Sequence, residues 1–403
     1  MIRSVLMLAP EPPYPLHGGG AYRTASLVHY FARFAEVDLI LFSESGKPAL
    51  LPAGLVRSQN VIPLPAHGKG LLERYWRNAR RAVRGVPPLI DRLGGFEAQV
   101  RELIAGRRYD LGIVEHFWCA PYIDEMERAC DRTLLDLHNL ESALTETCAG
   151  ASRGLIASGH RRFASASRRL EAKLLPRCSL VLAASEEDAA RAAFIAPGAR
   201  LAVYPNSLPR REIRCSIIEE CCLVFSANFE YHPNIDAVEY FISEIWPLIG
   251  EKNPDLQLKL VGRGDTFIRH LIQDRPRIEA TGPVEDASHE IAKARIVVAP
   301  LRAGSGTRIK ILEAWAAEKA VVATPLAAEG LAVQDEWNIL LAKEPAGFAA
   351  AIERLLKDGG ERQRMGHNGR QTFENRYTWD RAWQTLDREL QVKWPVELTR
   401  YTE

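Results

Sequence analysis

The chain has 403 residues, 47% of them hydrophobic and 26% charged, a globular composition that excludes a disordered, collagen-like or fibrous protein. At roughly 150 residues per domain, the length predicts two domains. Lys plus Arg (52) balance Asp plus Glu (51), and the net charge of +1 makes no global electrostatic case for a nucleic-acid partner.

The first apolar run, Val5–Ala9, is closed by Pro10, Pro12, Pro13 and Pro15. It is too short for the core of a signal peptide and reads as a strand. Short apolar runs then alternate with longer amphipathic ones. Strands are expected at Val37–Phe42, Leu111–Glu115, Leu134–Leu137, Leu180–Ala183 and Leu201–Tyr204. A second series runs Cys221–Ser226, Leu256–Val261, Ile296–Ala299, Ala320–Thr324 and Ile339–Ala342. Between the first two strands, Ala21–Ala35 reads as a helix whose stripe is Leu27, Val28, Phe31, Phe34 and Ala35. Strand-helix alternation means parallel sheets covered on both faces, and right-handed crossovers favour doubly wound, Rossmann-like units.

The alternation breaks at the polar, turn-rich stretch around Pro205, Asn206, Ser207, Pro209, Arg210 and Arg211. The expected organisation is an N-terminal domain over 1–208, a linker over 209–220 and a second Rossmann-like domain over 221–376. A C-terminal helix within 377–403 carries Trp379, Trp383, Leu386 and Leu390 on one face. No run approaches the ~18 apolar residues needed to span a bilayer. The seven cysteines contain no Cys-x-x-Cys pair and read as reduced thiols of a cytoplasmic protein.

In such a fold, ligands bind beyond the carboxyl ends of the strands, so the loops there carry the chemistry. Gly18, Gly19 and Gly20 lie between the first strand and its helix, where they suit either a flexible turn or close approach to a ligand. They match neither a dinucleotide nor an NTPase fingerprint. The stretch from Ala303 to Glu313 is the stronger candidate. A strand runs into a Gly/Ser loop containing Gly306, Thr307 is the expected N-cap, and Arg308 and Lys310 flank the helix start, as a phosphate or pyrophosphate site requires. Glu313 falls on the stripe of Ile309, Leu312 and Ala316, placed either for ribose hydroxyls or for a lysine. Gly262 in the Gly262-Arg263-Gly264 turn, and His138 at the end of Asp136-Leu137-His138-Asn139, are weaker candidates. Each is also compatible with a purely structural role. No histidine sits at metal-ligand spacing, so no metal site is expected.

Taken in order, these segments resemble the retaining glycosyltransferases of family 4, also called glycosyl transferases group 1, which have the GT-B fold. The resemblance rests on the glycine-rich turn, "DLHN" at 136–139, "AASEEDAARA" at 183–192 and "VYPNS" at 203–207. It continues through "FSANFEYHPNIDAVEYFISEIWPLI" at 225–249, "LVGRG" at 260–264 and, most densely, "GSGTRIKILEAWAAEKAVVATPLAAEGL" at 304–331. That last stretch is similar to a branch associated with exopolysaccharide and cell-surface glycan assembly.

The resemblance implies a nucleotide-diphosphate sugar as co-substrate, held mainly by the second domain, and no cofactor. It implies donor contacts from Gly18–Gly20, Gly262, Gly306, Thr307, Leu312 and Glu313, with Glu313 on the ribose. His138 is implied at the transferred sugar, and Arg308 and Lys310 at the diphosphate. Two departures stand out. The first of the family's two signature glutamates falls at Ser305, and the usual early Arg/Lys pair is absent from residues 227–234. The implied acceptor is a glycan or lipid-linked hydroxyl. A catalytically silent GT-B subunit that serves a partner transferase is the alternative from another class, and a nucleotide-sugar epimerase a third.

Basic runs at 69–84 (Lys69, Arg74, Arg77, Arg80, Arg81, Arg84) and 153–177 (Arg153, Arg161, Arg162, Arg168, Arg169, Lys173, Arg177) each contain one acid. They suit either a solvated helix face or a peripheral contact with anionic lipid.

Overall fold

In the computed structural model, which describes residues 2–16, 18–65, 70–210, 218–284, 286–304 and 309–394, thirteen strands form two wholly parallel sheets. The first holds β1 (Ser4–Ala9), β2 (Glu36–Ser43), β3 (Ser58–Pro63), β4 (Tyr109–Glu115), β5 (Cys130–Asp136), β6 (Leu180–Ala183) and β7 (Leu201–Val203), in the order β3-β2-β1-β4-β5-β6-β7. The second holds β8 (Cys222–Ser226), β9 (Gln257–Val261), β10 (Ile278–Gly282), β11 (Ile296–Ala299), β12 (Ala320–Ala323) and β13 (Leu340–Leu341), in the order β10-β9-β8-β11-β12-β13. Both are doubly wound, and in each the connections reverse direction beside the first strand, between β1 and β4 and between β8 and β11.

The chain divides into two compact units, Met1–Asn206 with Ala382–Glu403, and Ser207–Arg381. Period-two alternation explains how the first sheet is covered. Leu6 and Leu8 of β1, Ile40 and Phe42 of β2 and Val114 of β4 feed one core. Val5, Met7 and Ala9, with Val37, Leu39 and Leu41 and with Leu111 and Ile113, feed the other. The helix α1 (Gly19–Ala32) begins two residues earlier than its apolar stripe suggests, because Gly19 and Gly20 form its first turn. It is buried nearly all round, with Leu27, Val28 and Phe31 fully enclosed.

Every expected strand is present. Two further strands, β3 and β10, are sheet edges, and their mixed sequences SQNVIP and IEATG lack an apolar run because one side of each strand has no neighbour. Asn206 and Ser207 are polar in sequence yet buried in structure, alongside the apolar Leu208. Leu208 pairs with Thr378 as an isolated bridge, its N–H donating to the Tyr377 carbonyl at 2.9 Å and its carbonyl accepting from the Trp379 N–H at 3.0 Å. Of the expected linker, residues 211–217 lie outside the described residues.

The C-terminal helix, Trp379–Lys393, places Ala382, Leu386 and Leu390 in the second core of the first unit, next to Trp394. Trp383 Nε1 donates to the Ser26 carbonyl at 3.1 Å, and Tyr30 Oη donates to Asp387 Oδ1 at 2.7 Å. Leu386 is fully buried, so Leu386→Ala is expected to destabilise the first unit by about 2–5 kcal/mol, read from urea unfolding.

Candidate functional site

The candidate residues fall into two groups, one at the switch point of each sheet. In the first unit the loops after β1, β4 and β5 converge. Gly18 takes φ 85°, a conformation that favours glycine, and starts α1. A Cβ on Gly20 would lie 2.5 Å from Glu11 Oε1 and 3.7 Å from His138 Nδ1. The glycine turn and His138 are therefore neighbours.

Behind His138 lies a charged network that the sequence reading did not assemble. Arg23 and Asp136 form a bidentate pair with both contacts at 2.6 Å, and both side chains are buried. Arg23 Nη1 also donates to the Tyr204 carbonyl at 2.7 Å and to Asn206 Oδ1 at 2.9 Å, and the guanidinium lies 4.9 Å from the Tyr204 ring centroid. His138 Nε2 is 2.9 Å from Glu115 Oε2 and 3.4 Å from Asp136 Oδ2. Thr24 Oγ1 donates to the same Glu115 oxygen at 3.2 Å. One signal for Arg23 was available, since it extends the Leu27–Phe31 stripe one turn backwards. A cation on a buried stripe needs a buried anion.

The electrostatics follow from burial and pairing. Burial works against the charged form of Asp136, but the Arg23 charge and the bonds to His138 and Arg23 hold its carboxyl below the usual range. Burial would also lower His138, yet its bonds to Asp136 and Glu115 and their charges outweigh it and push the imidazole up to about 9. Glu115 is raised by burial and by the Asp136 charge, against the pull of His138 and Arg23. One proton thus belongs to the Glu115–His138 pair. Glu115, Asp136 and His138 bring ligand atoms within 4.8 Å of one another, a set that could enclose a cation. Arg23 already engages both Asp136 oxygens and supplies that charge, so the donor set suits the guanidinium and would repel a divalent ion beside it.

Next to this network, His116 adopts φ 64° and stacks on Trp118 at 3.6 Å between centroids. Trp118 Nε1 donates to Glu141 Oε1 at 2.9 Å, and burial, with Glu171 nearby, pushes Glu141 up to about 7.

In the second unit the loops after β8, β9 and β11 meet. Gly262 has φ 137°, and a Cβ there would overlap the Ala227 carbonyl oxygen; Gly264 is pressed in the same way against Phe229. Lys310, in the first turn of the Ile309–Ala316 helix, donates from Nζ to Asn234 Oδ1 at 2.9 Å and lies 5.3 Å from the Phe225 ring centroid. Asn234 Nδ2 donates in turn to the Asn228 carbonyl at 2.8 Å. Asn234, whose partner across the loops is 76 residues distant, had no local signal. Around the helix, Ile309, Ile311, Leu312, Ala314 and Trp315 are buried, whereas Lys310 and Glu313, three residues apart, are half-buried on a shared ridge. Glu313 therefore lies beside the lysine ridge as much as on the apolar stripe. Leu312 is fully enclosed, so its side chain fills the core. Gly306, Thr307 and Arg308 lie outside the described residues.

Removing one partner of the buried Arg23–Asp136 pair leaves an uncompensated charge. Arg23→Leu is expected to lower stability by about 3–5 kcal/mol. The double variant Arg23→Leu/Asp136→Asn is expected to lose less than the single one in the same urea titration.

Residues 220–358, about a third of the chain, match the model of the family described as glycosyl transferases group 1. A curated relative, an uncharacterized 44.6 kDa protein in the cps region of Klebsiella pneumoniae, is 19% identical over 180 residues, 43% of this chain and 46% of the relative. The match thus spans about half the relative's length. Three solved structures are similar over nearly the whole chain. Sucrose-phosphate synthase from Thermosynechococcus elongatus has a TM-score of 0.74 at 16% identity, covering 97% of this chain and 98% of that one. S. aureus TarM, in a complex containing UDP, has a TM-score of 0.69 at 11% identity, with 96% and 99% covered. Anabaena HepE, in complex with UDP and glucose, has a TM-score of 0.65 at 17% identity, with 97% and 100% covered. The fold is GT-B, and its second unit contains the stretch that matches glycosyl transferases group 1.

Proposed function

We propose that this protein transfers a sugar from a nucleotide-diphosphate donor to a glycan or lipid-linked acceptor hydroxyl, with retention of configuration. The observation that carries the reading is the family match over 220–358, which contains the Gly262 turn, Lys310 and Glu313 at one switch point. UDP complexes of HepE and TarM support a uridine donor.

In the proposed reaction the bond between the sugar C1 and the β-phosphate oxygen breaks. The acceptor oxygen joins C1 on the same face, its proton passes to the departing phosphate, and the nucleoside diphosphate leaves. Lys310, together with Arg308, supplies cationic donors to the developing diphosphate charge, a pre-organised contribution typically worth 10²–10³ in rate. Glu313 accepts from the ribose, and His138 contacts the transferred sugar.

A panel of UDP-, GDP-, ADP- and dTDP-sugars tests the donor by thermal shift. A true donor at a hundredfold excess over its Kd stabilises by about 2.7 kcal/mol. Absence of a shift with every member would overturn the reading. Lys310→Ala and Arg308→Ala are each expected to lower turnover about a hundredfold with the fold intact, and wild-type rates would remove both from the mechanism.

Ser305 in place of a signature glutamate, and the lack of Arg or Lys at 227–234, favour one second reading, a silent subunit that binds donor for a partner transferase. Donor binding without hydrolysis or transfer, in the presence of acceptor, identifies that case.

The lipid-linked acceptor and a cytoplasmic, peripheral placement are proposed together. No helix among the described residues is long and apolar enough to cross a membrane. The helix α2 (Leu71–Arg84) exposes Trp76 (66%) and Val83 (78%) alongside Arg80 and Arg84, and the neighbouring helix Gly154–Leu174 exposes Ile156, Arg161 and Arg169. Part of this charge is already paired, as Arg81 and Arg84 bind Asp91 and Arg177 binds Asp124 and Glu127. Apolar side chains set among cations suit an anionic lipid surface. Sedimentation with phosphatidylglycerol vesicles is expected at low salt and not with phosphatidylcholine. No binding at low salt would dismiss the contact.

A further inference from the structure

The Glu115–His138 contact joins a fully buried carboxylate to a side chain that reaches the surface beside the glycine turn. Glu115 and Asp136 have no exposed side-chain area, whereas His138 retains 12%. Both carboxylates approach Nε2, from the ends of β4 and β5. The opposite ring nitrogen, Nδ1, lies next to the first turn of α1, 3.7 Å from where a Gly20 Cβ would be. The imidazole is therefore clamped at its inner edge and presents its outer edge to the glycine turn.

We propose that Glu115 is a positioning residue that holds His138 as an imidazolium, with Nδ1–H offered as a fixed hydrogen-bond donor to an oxygen of the bound nucleotide sugar. This rests on the proposed function only for the identity of that ligand. His138 then acts as a standing charge and not as a general base, because its Nε2 proton is committed to Glu115 and no free lone pair remains on either nitrogen.

The surroundings favour this assignment from every side. From α1, Arg23 neutralises Asp136 and Thr24 donates to Glu115 Oε2. From the loop after β1, Glu11 places a carboxylate beside Gly20. From the end of β4, His116 packs against His138 at 4.7 Å between centroids, and burial, then the charges of His138 and Arg23, hold it well below its usual range, so it stays neutral. The carboxylates thus outnumber the other charges facing His138. Among the described residues Glu115 Oε1 has no hydrogen-bond partner, so Glu115 reaches the network through Oε2 alone.

The test separates this role from the function itself. Histidine ¹⁵N shifts of the ligand-free protein, with His138 assigned from the His138→Gln variant, are expected to show His138 protonated through pH 8. In Glu115→Gln its titration is expected at least one unit lower, about a tenfold change in proton affinity, and Glu115→Asp is expected to restore it. Titration of wild-type His138 at or below about 6.5, or no shift in Glu115→Gln, overturns the proposal whether or not any transfer is observed. With a uridine-diphosphate sugar as substrate, wild-type kcat/KM is expected to stay flat to pH 8. The Glu115→Gln value is expected to fall about tenfold between pH 7 and 9, and a parallel, pH-independent loss would mark a merely structural role. If Glu115→Gln does not fold, the wild-type titration and Glu115→Asp still decide the matter.

Discussion

The first unit is organised around the pair of Arg23 and Asp136. Taking two full charges out of water is expensive, and the attraction between them repays it only when the remaining donors and acceptors are satisfied. Most of them are: two contacts join the guanidinium and carboxylate, the Tyr204 carbonyl and Asn206 take both Nη1 donors, and the Tyr204 ring lies against the cation. The pair ties α1 to the end of β5 and to the segment leaving β7. His138, two residues beyond Asp136, takes its position and its raised pKa from its contacts with Asp136 and Glu115.

The second unit reaches a similar layout with softer chemistry. Its sheet has the corresponding strand order and a switch point at the same place, but among the described residues the loops there are joined by close backbone approach, the Lys310–Asn234 contact and the part-exposed Arg302–Asp236 pair instead of fully buried charges. Gly262 and Gly264 let the turn after β9 lie directly on Ala227 and Phe229, and Lys310 reaches across to Asn234. The first unit instead closes its charges into a buried network, from which the edge of His138 reaches the surface.

The interior of both sheets was legible because a strand buried on both faces must be apolar at every position, and such a run stands out against any surroundings. The edges β3 and β10 escaped for the converse reason. With a neighbour on one side only, SQNVIP and IEATG keep polar side chains and lose the signature. The stretch around Asn206 shows the limit of composition. Its polarity suggested solvent, but Asn206 is buried because Arg23 needs an acceptor there. The glycine turn and His138 stood out because they follow strands, and Lys310 and Glu313 because they open the helix after the β11 loop.

The sequence by itself therefore determined two doubly wound halves, their strand interiors and the loops that carry polar and cationic groups, since periodicity and burial are local properties. Only the tertiary structure decided which of those groups meet. Arg23 and Asp136 stand 113 residues apart, His138 and Glu115 stand 23 apart, and Lys310 and Asn234 stand 76 apart. Their proximity is a consequence of strand order, which brings the ends of β1, β4 and β5 side by side in the first unit and those of β8 and β11 in the second, and which no local pattern encodes.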